Sequence, residues 1–177
     1  SVAGWEAMAL TSAKMSRLGV PKRNLDLFDE YLDSVQLDGG AFYGYTMPEK
    51  RPSTTAIGLL LRMYQGWKRD HRGLKKGVLA LSRLGPNRDD MYYNYYATQV
   101  MHHWGGQEWR HWNAIMREHL IATQLSGKHS AGSWAPRDPH GGPGGRLYMT
   151  CLAIMTLEVY YRHLPLFQER AVDVGAE

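Results

Sequence analysis

"VQLDGGAFYGY" at residues 35–45 and "TQLSGKHSAGSW" at residues 123–134 set down the same order twice: Gln-Leu, a glycine-rich turn, then an aromatic residue. Each stretch follows residues with helical spacing, so each turns a helix end sharply into a corner. Glycine makes such a turn without strain. A Gln at the end of a helix can reach unsatisfied backbone groups at a nearby helix terminus while an aromatic ring covers it from water. Gln36, Asp38, Phe42, Gln124 and Trp134 are therefore expected to form a structural clasp, with a ligand-binding role for the same residues left open. The two corners lie 88 residues apart, which is the first hint of a repeat.

Working outward, the segments before the corners are amphipathic. Leu25, Phe28, Leu32 and Val35 follow i, i+3, i+4 spacing after Pro21; Leu74, Val78, Leu81 and Leu84 do the same and stop at Gly85-Pro86. Trp109, Trp112, Ile115, Met116 and Leu120 mark a third such helix. One wet face and one dry face place these three on the outside. The segments between them, 53–67, 89–104 and 146–161, carry apolar or aromatic residues around most of their circumference, the pattern of buried helices. Residues 4–19 align loosely with them, with Ala7, Ala56, Ala97 and Thr150 at comparable positions, a drifting period of about 45 residues.

The expectation is thus a single all-α domain over residues 1–177, built of helix pairs near 4–35, 53–84 and 89–125, a last inner helix at 146–163 and a tail at 165–177. The connection "LGPNRDD" at 84–90 is short and lacks the Gln-turn-aromatic unit.

Composition bounds the function. A chain of 177 residues can bury a core without disulfides. The lone cysteine, Cys151, sits in an apolar run and is expected to be a buried, inert thiol. The start at Ser1 without an initiator Met suggests an excised piece, and no stretch approaches the roughly 20 apolar residues of a membrane helix. A net charge of +4 invites a nucleic-acid reading, but the basic residues between Arg62 and Arg83 are spaced as a solvated face and no reading motif accompanies them. No nucleic-acid partner is expected, and localisation is left open.

"QLDGGAFYGY" followed by "STTAIGLLLRM", and "GSWAP" followed by "GGRLYMTCLAIMTLEVYY", resemble the corner and inner helix of the prenyltransferase and squalene-oxidase repeat family. That resemblance implies an α/α toroid of alternating inner and outer helices. About seven helices here make a partial ring, against the twelve or so of a closed one. Its inner face would then need covering, by self-association or by a further part of a larger toroid.

The enzymes of that family supply two tests. Cyclases protonate substrate with an Asp-x-Asp-Asp motif; "NRDD" has Asn87 in place of the first acid. That leaves Asp89 and Asp90 as weak catalytic candidates, against helix capping by Asn87 or Asp89. Protein prenyltransferases hold zinc through Asp, Cys and His; Tyr93 stands in the His position and no cysteine precedes it. His102 and His103 are adjacent and His111 and His119 eight apart, without metal-ligand spacing. No metal and no cofactor are expected.

Two features remain as ligand candidates. Tyr92, Tyr93, Tyr95 and Tyr96 crowd one inner helix; they either line the concave face for a hydrophobic small molecule or fill the gap between layers. Arg146, after "HGGPGG", could meet an anion at a helix start. The expected function is a non-catalytic helical-repeat binding or scaffold module, its ligand unspecified. The alternative is a terpene cyclase-like, isoprenoid-processing enzyme whose acids lie outside this chain.

Overall fold

Gly85, at φ +74, closes the fourth helix where Gly85-Pro86 is read as its stop, and Pro52 opens the third. The computed structural model describes residues 2–162, and the tail at 165–177 lies outside the described residues. Eight helices follow in order: α1 (Val2–Met15), α2 (Lys22–Val35), α3 (Pro52–Tyr64), α4 (Arg72–Leu84), α5 (Met91–Trp104), α6 (Gly106–Thr123), α7 (Gly141–Leu157) and the single turn α8 (Val159–Arg162). A two-residue ladder joins β1 (Gln36–Leu37) to β2 (Phe42–Tyr43), antiparallel, with Gln36 opposite Tyr43. The fold is all-α.

The helices sort into two layers. In the inner one α1 packs on α3, α3 on α5, and α5 on α7; α4 backs onto α3 and α5, and α6 backs onto α5. Val78 and Leu81 of α4 and Trp112, Met116 and Leu120 of α6 are buried, whereas Leu84 and Ile115 project to the outside. Leu84 falls in the last turn, where the chain already leaves the layer, and Ile115 lies beside the stripe on a flank that no described helix covers. Gly105 and Gly106, both at positive φ, let α6 begin directly after α5.

Burial of the inner layer is uneven. From Tyr93 to Trp104 every residue of α5 is buried, as is Thr55–Met63 of α3. By contrast α1 buries only Gly4 and Ala7, and α7 leaves Leu147 78% and Ile154 41% exposed. Cys151 shares that outer side of α7 and is exposed, contrary to the expectation of a buried thiol. The reason is position: among the described residues α7 has a partner inner helix, α5, on one side only, so part of its apolar circumference stays exposed.

Arg62 is the other departure. It stands 4% exposed in the middle of α3 rather than on a solvated face. Its guanidinium donates to Asp29 at 3.0 Å, to Asp33 and to the Tyr43 hydroxyl at 3.2 Å, and lies over the Trp67 ring. It ties α2 to α3.

Candidate functional site

Neither glutamine reaches the end of another helix: Gln36 Nε2 donates to Asp33 Oδ1 at 3.0 Å, in the last turn of the α2 helix it follows, and Gln124 Nε2 to Gly132 O at 3.1 Å, within its own corner. The fastening is done from the next inner helix. Tyr43 N–H donates to Thr55 Oγ1 at 3.1 Å, and Trp134 N–H donates to Thr150 Oγ1 at 3.2 Å. Thr54 adds a hydroxyl bond to Tyr43 O at 2.6 Å, and the Trp134 indole N–H donates to Leu120 O at 2.9 Å.

Tyr43, not Phe42, is therefore the counterpart of Trp134. β1 and β2 alternate faces, so Tyr43 turns inward onto Gly58, where a Cβ would stand 2.3 Å from the ring. Phe42 turns outward beneath the ammonium groups of Lys50 and Lys76. Asp38 accepts from Lys76 at 3.0 Å and lies 3.5 Å from Lys50; the Lys76 hydrogen bond holds its carboxyl below the usual range.

The short connection 84–90 is fastened by the same device. Asn94 of α5 accepts from Asn87 N–H at 2.9 Å and donates to Asn87 O at 2.5 Å. Three inner helices thus each grip the preceding loop by a polar side chain near their start: Thr55, Asn94 and Thr150.

The carboxylates converge at the start of α5. Asp90, rather than Asn87 or Asp89, caps the helix: Oδ1 accepts from Tyr93 N–H at 2.8 Å and Oδ2 from Ser53 Oγ at 2.9 Å. Asp138, 5% exposed, accepts from Met91 N–H at 3.0 Å and from Gly141 N–H, so one side chain joins the first turns of α5 and α7. All four carboxylate oxygens already hold protein donors. Asp89 is exposed on a groove of about 860 Å³ between α6 and α7, which Arg88, Arg137 and His119 also line. Burial, with Arg88 beside it, lowers the His119 pKa.

The tyrosines point in different directions. Tyr93 goes between the layers, its hydroxyl donating to Gly85 O at 3.1 Å and its ring edge-on to Trp112; burial, then Asp90, raises its pKa. Tyr95 stacks on Trp5 of α1 at 5.7 Å, and Tyr96 meets both Trp5 and Tyr92 edge-on. Tyr92 also faces His140. Burial and the neighbouring tyrosines raise the pKa of Tyr96, and burial, with Asp138 next, pushes Tyr148 up to about 12. Trp5, Tyr95 and Tyr96 fill the space they share.

Arg146 is exposed at the start of the regular part of α7, after Gly145 breaks the helical path. The anion-accepting N–H of Gly141 is already taken by Asp138. His102 and His103 are buried in the last turn of α5, with His102 edge-on to Trp109. Among the described residues no group of three or more His, Cys, Asp or Glu is placed to hold a metal ion, and no helix is long and apolar enough to cross a membrane.

Asp138 and Arg62 are the residues whose roles pattern reading misses. The signal for Arg62 is there: a charge at the centre of an apolar helix must find partners.

No family model, curated protein or solved structure matches the chain.

Proposed function

We propose that the protein is a non-catalytic helical-repeat module, of the kind built from the prenyltransferase and squalene-oxidase repeat, that works as a scaffold or binding surface. The observation that carries this reading is the fate of two acids, Asp90 and Asp138. A cyclase-type general acid needs a carboxyl group whose oxygen is free to meet substrate. Both oxygens of Asp90 and of Asp138 are occupied in holding helix starts together. Those residues support an architecture, not a proton transfer.

The aromatic cluster supports the same view. Stabilising a carbocation calls for ring faces open to a cavity. Here Tyr95 offers a face to Trp5, and Tyr96 touches Trp5, Tyr92 and Tyr95. Thermal melting with a squalene analogue and with a prenyl diphosphate analogue tests the reading. No shift in Tm is expected for either. A saturable rise, lost on Tyr95→Ala but kept on Tyr93→Phe, would instead place an isoprenoid on the concave face.

A further inference from the structure

We propose that the two ends of the inner layer are complementary docking surfaces for a second copy of this chain, the α7 ridge of one copy seating in the α1–α2 groove of the other. This goes beyond the scaffold reading, because it names the partner and the contact.

The ridge is the uncovered side of α7. Leu147, Cys151 and Ile154 recur at i, i+4 and i+7, all exposed, and form one continuous apolar row. The groove lies at the opposite end of the layer. Ala3, Ala9 and Leu10 of α1 with Leu27 and Phe28 of α2 line an apolar depression of about 620 Å³. Ala9 and Leu27 are exposed in it, and a narrower space bordered by Tyr43, Ile57 and Leu61 of the α3 side adjoins it through Ala3 and Tyr31. An apolar ridge and an apolar groove that no described residue covers can satisfy each other by heterologous contact between copies.

Charge selects the orientation. Arg146 and Glu158 bracket the ridge, and Glu6 and Lys14 lie along α1; all four are exposed. Inner helices separated by one returning outer helix run parallel, so an added copy that continues the layer sets α1 parallel to α7. Thr55 and Thr150 make the same grip, so Ala56 corresponds to Cys151 and, through the sequence alignment of α1 with α3, so does Ala7; Glu6 and Arg146 are then offset by four residues and Lys14 and Glu158 by none. At 1.5 Å per residue the first offset is about 6 Å, within reach of long side chains. The antiparallel arrangement would oppose Glu6 to Glu158 and Lys14 to Arg146, like against like. Two copies that exchange both contacts close a pair.

Cys151 supplies the probe. In the full chain, Ala9→Cys places a second thiol in the groove, and a short bismaleimide should then join that introduced thiol of one copy to Cys151 of another. Cross-linked dimer is expected for Ala9→Cys and not for wild type or for Ala9→Cys combined with Cys151→Ser. Equal cross-linking of wild type would mean that ridge meets ridge and would overturn the proposal. In sedimentation equilibrium, Arg146→Glu or Glu6→Arg alone should weaken association by about five- to tenfold, and the pair together should restore it to within about twofold. A wild-type chain that stays monomeric at every concentration, or a double variant no tighter than the singles, would also overturn it. Neither result bears on isoprenoid binding, so the scaffold reading fails or survives separately.

Discussion

Replacing Thr55 with Val removes one hydroxyl and keeps the shape of the side chain, which isolates the grip of α3 on the corner at Tyr43. In the wild type Thr55 Oγ1 accepts from Tyr43 N–H at 3.1 Å in a buried setting, and Thr54 separately holds Tyr43 O. With Val at 55 the Tyr43 N–H loses its acceptor and no water can replace it, because Thr55 and Tyr43 are both 1% exposed. A buried donor left unpaired costs about 1–3 kcal/mol, far more than the near-neutral gain of one extra methyl in the same volume. Urea unfolding followed by tryptophan fluorescence gives the readout. With a slope of about 2 kcal/mol/M, the midpoint should fall by about 0.5–1.5 M at unchanged slope, and Thr55→Ser should recover most of it. A Thr55→Val midpoint within about 0.2 M of wild type would refute the idea that this hydroxyl fastens the corner.

Three further perturbations test other parts of the structure. Asp138→Ala should cost about 1–3 kcal/mol, because Met91 N–H and Gly141 N–H lose their shared acceptor; equilibrium unfolding checks it, and a neutral result would mean that the loop re-caps both helices. Arg62→Met should cost about 1–3 kcal/mol, not more, since Asp29 and Asp33 are exposed enough to regain water while the Tyr43 hydroxyl loses its donor; the same unfolding assay reads it. The folded-state pKa of His119 lies below its ordinary 6.5, so the stabilising contribution of the neutral ring is complete above that value and is lost as pH falls from it. Tm should therefore decline more steeply below about pH 6.5 in wild type than in His119→Gln, and parallel profiles would contradict the placement of His119 beside Arg88.

Much of the architecture was legible in the residues because helical spacing and helix punctuation are local. Gly85 stands at the helix end read for it, and the stripe through Leu74, Val78 and Leu81 faces inward. The corners were legible as corners, but their fastening was not. That depends on which residue of β2 turns inward, and a one-residue difference in pleat decides between Phe42 and Tyr43. The gripping residues, Thr55, Asn94 and Thr150, sit on helices whose apolar pattern gave no reason to single them out. Cys151 and Arg62 reversed their expected environments because burial depends on neighbours: α7 is the last of the described inner helices and keeps one side exposed, while α3 sits between α1 and α5 and brings its arginine along. Asp138 lay in a glycine- and proline-rich loop whose path no periodicity predicts.

The central claim is that Asp90 and Asp138, at the inner-helix starts, hold helices and transfer no protons. The most direct measurement is a product assay: the protein incubated with squalene or a prenyl diphosphate, extracts resolved by gas chromatography and mass spectrometry, for wild type and for Asp90→Asn. The account predicts no cyclised or transferred product from either protein, with Asp90→Asn changing only stability. Product formed by the wild type and abolished in a folded Asp90→Asn would contradict it.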